Sequence, residues 1–259
     1  MKKNFSEAGM AHVLLVVLVV VIAAIGAVGY RVITKKEADK PKPPTSNTNN
    51  TPGTKESADL ALQNIGLQSF DDILYTKNAV REYASNGLKG FYVFGDKLSG
   101  GRVNPNFEFS SIKPGSKVVS AIDGVVAFIK EQPDSKDYEV FVQLPNNTVW
   151  TIGYDHLVNL SVKKDDVVKA GTVLGEPAIQ NNGLHRFEIQ VNKDENGTTT
   201  HICPSTLLAS AVKDKVLGDL TAMQNTWESS TGLDLYSVDA QKPVGCLKQG
   251  LTVAEAEGR

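Results

Sequence analysis

VVSAIDGVVAFIK at 118–130, YEVFVQL at 138–144, TVWTIGY at 148–154, LSVKKDDVVKAGTVLGEP at 160–177 and HRFEIQVN at 185–192 decide how this chain folds. Each run is rich in Val, Ile or aromatic side chains and is bounded by Gly, Pro, Asn or Asp, the composition of short strands separated by turns. Asp123-Gly124, Pro145-Asn146-Asn147 and Lys164-Asp165-Asp166 supply turn chemistry between them. Short strands at this spacing predict a mainly β domain, a sandwich or barrel-like sheet, over 91–206.

Working outward, Leu60, Leu62, Ile65, Leu67, Ile73, Leu74, Val80 and Tyr83 recur at mostly helical spacing, which predicts a helical lead-in over 59–90. After Cys203-Pro204 the pattern turns helical through Ser205–Met223, and a polar tail follows, so 207–259 reads as a C-terminal helix and tail. Residues 35–58 are Pro, Ser, Thr, Asn and Lys without apolar periodicity, the composition of an extended, solvated linker. Val13–Tyr30 holds eighteen residues with no formal charge. At about 1.5 Å per residue they reach roughly 27 Å, enough for a bilayer core. Residues 1–34 are therefore expected to form a single transmembrane anchor, with the remainder extracytoplasmic; the alternative is a secretory signal cleaved near Ala24, Gly26 and Ala27.

Charge excludes one large class of function. The chain has 259 residues, with 27 Lys+Arg against 29 Asp+Glu. Residues 1–36 hold five of the basic groups and one acidic group, which leaves 22 against 28 in the rest. That acidic remainder lacks the basic face that nucleic-acid binding requires. The two cysteines, Cys203 and Cys246, are too few for a cysteine-rich zinc module. In an exported domain they would pair and fasten the tail to the last strand; the alternative is two unrelated thiols.

Four segments in order resemble the M23 (LytM, lysostaphin-like) family of zinc metallopeptidases that cut peptidoglycan peptides. Gly101-Arg102-Val103-Asn104-Pro105-Asn106-Phe107-Glu108 lies where that family has G-R-x-H-P-G-x-D. Pro114 to Val126 follows its G-T-x-V-x-A-x-x-D-G-V-V pattern, and Tyr154-Asp155-His156-Leu157 its Y-x-H-L. Val162 to Gly175 matches V-k-x-G-d-x-V-k-x-G-x-x-I-G, and Leu184-His185-Arg186-Phe187-Glu188 stands at H-x-H-F-E. The resemblance implies an antiparallel β-sheet core of the duplicated hybrid motif type, with flanking helices.

The resemblance also implies a site and its departure from pattern. Zinc hydrolysis of an amide needs three protein ligands, an open position for water and a nearby proton acceptor. By position the three ligands become Asn104, Glu108 and Arg186, and the catalytic pair becomes Leu184 and His156. Asn is a poor zinc ligand, and the Arg guanidinium stays protonated and cannot ligate. No cofactor is therefore expected. Glu108 and Arg186 are expected to form an ion pair that ties the strands zinc would bridge, with Asn104 and Leu184 lining the same groove; the alternative is two exposed, unrelated charges.

His156 keeps the family's type, with a structural role set against contact with a peptide amide. Glu188 and Asp123 read as structural. Alternation along a strand turns His185 away from 184 and 186. The expected function is a membrane-anchored, non-catalytic M23-like domain that binds peptidoglycan or regulates a cell-wall hydrolase. The alternative is an active zinc endopeptidase with altered ligands, using Glu108 and His185. A lipoyl-type carrier shares the V-k-x-G turn but lacks here the Met that usually flanks its lysine.

Overall fold

The computed structural model describes residues 60–76 and 89–259. The chain divides into units Met1–Lys55 and Glu56–Arg259, and all described residues fall in the second. The expected anchor and the whole linker, 35–58, lie outside them. Among the described residues no helix is long and apolar enough to cross a membrane.

The alternating apolar runs become eleven strands. They are β1 (Phe91–Tyr92), β2 (Phe107–Ile112), β3 (Val118–Val119), β4 (Gly124–Gln132), β5 (Asp137–Leu144) and β6 (Asn147–Val158). Then come β7 (Val167–Val168), β8 (Val173–Ile179), β9 (His185–Glu195), β10 (Thr198–Ile202) and β11 (Gly250–Thr252). The sheet runs β1-β2-β9-β8-β6-β5-β4-β7, with β9 also pairing β6 and β10, β10 pairing β11, and β3 pairing β8. Every strand pairing is antiparallel. The run 160–177 is not one strand, because Asp165 adopts a positive φ in the turn before β7 and Gly171 another before β8.

Period-two burial fixes which face meets the core. Phe107 and Phe109 of β2 and Phe187, Ile189 and Val191 of β9 are wholly buried, whereas Glu108, Arg186 and Glu188 between them face the other side. The core is aromatic at this point. Phe91 packs on Phe107 and Phe109 at 5.3 and 4.8 Å between centroids, and Phe109 stacks on Phe187 at 5.1 Å. Such ring pairs contribute beyond their buried area.

The lead-in differs from the helical expectation over its described part, 60–76. It runs as extended chain with one 3-10 turn at Phe70–Asp72 and single bridges Leu62 to Leu208, Leu67 to Val118 and Ile73 to Ile112. The physical reason is that Leu60 and Leu62, then Ile65 and Leu67, alternate at period two and insert into the core. Gly66, at φ +83°, turns the chain between Ile65 and Leu67. Residues 77–88 lie outside the described residues.

At the C-terminal side Pro204–Leu207 forms a 3-10 turn, and helix α1 spans Ser210–Thr231. It therefore starts later and ends two turns beyond the expected Ser205–Met223. Val216, Leu220, Met223 and Trp227 continue one buried stripe at helical spacing past the polar Gln224-Asn225-Thr226. Gly232 in the left-handed region closes the helix. The tail is fixed in place: Leu251 is wholly buried in β11, and a capping box of Thr252 and Glu255 starts the short helix α2 (Val253–Ala256).

Cys203 and Cys246 form a disulfide across a sequence separation of 43. It anchors the tail beside the end of β10. Closing a loop of that length stabilises by about 4 kcal/mol in the chain-entropy model. Cys246→Ala should lower the urea unfolding free energy by about 2–4 kcal/mol. Reductant should have the same effect on the parent chain and none on the variant.

Candidate functional site

Strand register brings the site together. Glu108 of β2 lies directly opposite Glu188 of β9, and Glu188 lies opposite Asp155 of β6. Three carboxylates thus stand in a row across three adjacent strands, an arrangement that repels itself unless cations intervene. Arg186, two residues before Glu188 on the same face of β9, supplies one. Its Nη1 lies 3.3 Å from Glu108 Oε1 and 3.9 Å from Glu188 Oε1. Its Nη2 lies 2.7 Å from His156 Nε2.

His156 reaches this row through a backbone irregularity. Tyr138 pairs with Leu157 and Val140 with Tyr154, so Glu139 alone opposes both Asp155 and His156. This is a β-bulge, with the extra residue His156 at φ +59°. In a regular strand 155 and 156 would point to opposite faces. Here the His156 amide donates to Asp155 Oδ1 at 2.6 Å, and Asp155 Oδ2 lies 3.8 Å from His156 Nε2. On the far side, His156 Nδ1 meets the buried Asp137 Oδ2 at 2.7 Å.

Every carboxylate has a neutral partner as well. Ser110 Oγ donates to Glu108 Oε1 at 2.9 Å, Asn106 donates to Glu188, Gln132 to Asp155 and Ser135 to Asp137. The cluster borders a cavity of about 540 Å³. One wall is the β4–β5 turn at Asp134 and Ser135, and the other is the β8–β9 turn from Gln180 to Asn182. Arg186, His156 and Asp137 also line it.

The acidic excess shows in the titration of the site. Burial, and then the Glu188 charge, push the Glu108 carboxyl up to about 7 against the pull of Arg186. Burial likewise raises Asp155 and Glu139. Burial pulls the His156 imidazole down, but the Glu188 hydrogen bond and the Asp155 and Glu188 charges outweigh it and hold it up at about 9.

The short Arg186 contact needs a bare Nε2, because arginine only donates. The ring proton is then on Nδ1 and donates to Asp137. We read this contact as the neutral-ring arrangement. Proton uptake on Nε2 would set two donors face to face there.

Of the residues named from sequence, Glu108, Arg186 and His156 come together, and the Glu108–Arg186 pair is formed. Asn104 does not line the groove. It is 1% exposed, and its amide donates to the Val93 and Asn106 carbonyls at 3.1 and 3.0 Å. Leu184 packs against the hydrophobic core. His185 meets the Pro177 carbonyl at 2.9 Å, away from Glu108. Asp137, Asp155 and Glu188 were not foreseen as site residues. Only Glu188 carried a usable signal, its i+2 spacing from Arg186.

Zinc does not fit the positions the family resemblance assigns. Asn104 is committed to backbone carbonyls, and the Arg186 guanidinium fills the space between Glu108 and His156. Among the described residues one other group converges: donor atoms of Asp137, Asp155 and His156 lie within 4.8 Å of one another. Each already holds a hydrogen bond inside the cluster, and a guanidinium nitrogen stands against His156 Nε2. A dication bound through His156 Nε2 would have to displace Arg186, and one bound through Nδ1 would have to break the bond to Asp137.

Two outcomes follow from these charges. Glu108 retains its proton to about 7 in the fold against an ordinary 4.5, and His156 to about 9 against 6.5. The fold therefore binds more protons than the unfolded chain, and stability falls as pH rises. The Glu108 penalty sets in above 4.5 and is complete above 7. The His156 contribution is whole below 6.5 and gone above 9. Urea unfolding free energy should drop steadily between about pH 5 and pH 9.5, and Glu108→Gln should flatten only the lower part. Arg186→Ala should cost about 1–3 kcal/mol, less than for a fully buried pair because Arg186 is 31% exposed. Adding Glu108→Gln should recover part of that loss, since it removes the carboxylate left without a cation.

Residues 109–197 match the model of Peptidase family M23; Asn104 and Glu108 precede this span. No curated protein matches the chain. Among solved structures, it resembles the antimicrobial peptidase lysostaphin from Staphylococcus simulans at 19% identity, covering 57% of this chain and 56% of that one, with a TM-score of 0.38. A solution structure of lysostaphin matches at 16% identity and TM-score 0.36, with 49% of each chain covered, so this chain spans about half the length of that relative. A zinc containing peptidase from Vibrio cholerae matches at 23% identity over 51% of this chain and 37% of that one, with a TM-score of 0.35. TM-scores below 0.5 leave the assignment on the sequence match. That match falls on the strands carrying His156, Arg186 and Glu188, in a family of zinc-dependent peptidases related to peptidoglycan cleavage: residues 109–197 of this chain are a domain of peptidase family M23.

Proposed function

We propose that this M23 domain is a non-catalytic peptidoglycan-binding module, held at the outer face of a cell membrane by residues 1–34 and presented through the 35–58 linker. The observation that carries this reading is the Arg186 guanidinium between Glu108 and His156, a fixed cation where an M23 peptidase would need a ligand. Without a metal, an imidazole held protonated to about 9 offers no free base at neutral pH, and nothing polarises the amide carbonyl. The cavity beside it stays open, with amide side chains on one wall and charged groups on its floor. Such a mixed polar cleft suits an extended peptide.

A second reading has one observation in its favour, the convergence of Asp137, Asp155 and His156. Under it the chain is a zinc endopeptidase with altered ligands. The test is zinc content of the untagged full chain, beside pelleting with insoluble peptidoglycan and assay for peptide release. Substoichiometric zinc, pelleting and no released peptide are expected. One equivalent of zinc, lost in Asp137→Asn together with peptide release, would transfer the assignment to the peptidase.

A further inference from the structure

The cavity is lined unevenly. Asp134 stands exposed on one wall and makes no ion pair with any described residue. Asp137 also lines the cavity, Asp155 and Glu188 lie against the far nitrogen of His156, and Glu108 lies against Arg186. Against these carboxylates the site sets one permanent cation, Arg186, and the titrating His156. Gln180, Asn181 and Asn182 form the opposite wall and carry no charge. Lys130 is paired with Glu139 at 3.6 Å, and Lys136, exposed in the same turn as Asp134, is not among the lining residues.

We infer that the cleft selects peptides bearing a free ammonium group, seated on the Asp134 and Asp137 side while the wall amides take the peptide backbone. The inference rests on the peptide-binding reading above and adds the charge of the ligand to it. Three features of the cavity point the same way. The two lining carboxylates match Arg186 and a protonated His156, and Asp155 and Glu188 behind them tip the balance, so an entering positive charge is attracted and a negative one repelled. Asp134 is positioned to pair without giving up an existing partner. Arg186 is spent on Glu108 and His156 on one edge, which leaves its remaining N–H groups suited to a neutral carbonyl. A ligand carboxylate would meet the same guanidinium, but only by entering a field set by the carboxylates around it.

The test uses the untagged full chain in detergent micelles and three capped peptides of one length. These are acetyl-Gly-Lys-Gly-amide, its ε-acetylated form and acetyl-Gly-Glu-Gly-amide, titrated by calorimetry beside the peptidoglycan pelleting assay. The lysine peptide should bind about tenfold or more tightly than its acetylated form. The glutamate peptide should bind weakest, and salt should erode the difference. Asp134→Asn, an exposed change that leaves the fold alone, should shrink the lysine preference about threefold or more. Equal binding of all three peptides would overturn the charge preference and leave the binding reading standing. Pelleting without any peptide binding would also overturn it. No binding to peptides or to peptidoglycan would remove the binding reading and this inference with it.

Discussion

Three carboxylates in a row, Glu108, Glu188 and Asp155, are the constraint around which the site is arranged. They come from β2, β9 and β6, whose register is fixed by the hydrophobic face behind them, not by the acids themselves. Phe107, Phe109, Phe187 and Ile189 are wholly buried, so sliding any strand by one residue would expose rings to solvent and bury charge. The core thus holds like charges opposite one another. Placing a cation on the same face is the available remedy, and β9 carries one two residues from the central acid.

The bulge at His156 follows from the same need. A regular β6 would send either Asp155 or His156 into the face occupied by Tyr154 and Ile152, both wholly buried. One extra residue and a left-handed backbone let both side chains stay with the acids, and such a conformation costs on the order of 1–3 kcal/mol for a side chain other than glycine. That cost is met by bonds at both ends of the residue: the amide to Asp155 and the imidazole to Asp137. Strain held at a bulge beside a cavity belongs to a shaped site more than to a plain sheet.

Periodicity read the strands well because burial on one face leaves a period-two record. Alternation alone turns His185 away, whereas the pairing of Arg186 with Glu108 rests on the family resemblance, which brings the two positions to one site. Periodicity misread the lead-in because Leu60, Leu62, Ile65 and Leu67 serve an alternating pattern as readily as a helical one, and only the bridges to Leu208 and Val118 decide between them. The helical pattern reads as ending at Met223 because Gln224-Asn225-Thr226 hide the stripe that Trp227 continues. Asp137 and Asp155 left no local trace. One sits just past a turn, the other is on a bulge, and their meeting at His156 depends on a register shift between β5 and β6 that no single strand encodes. Asn104 was placed by motif at a groove, whereas the chain around it uses its amide to satisfy two backbone carbonyls.

Arginine and a dication solve the charge problem differently, and the difference bears on what this domain does. A metal neutralises by direct coordination, can be lost or exchanged, and leaves a position for water. A guanidinium is covalently part of β9, cannot be removed by a chelator, and presents donors only. With Arg186 in place the row of acids stays assembled whatever the metal supply, so the cleft keeps its shape. On the non-catalytic reading proposed above, this guanidinium stands where the electrophile for amide hydrolysis would sit. The cleft is then a shaped site whose role is to hold a ligand. The surplus of carboxylates over Arg186 and His156 means that the occupant best able to complete the charge balance is a positive one.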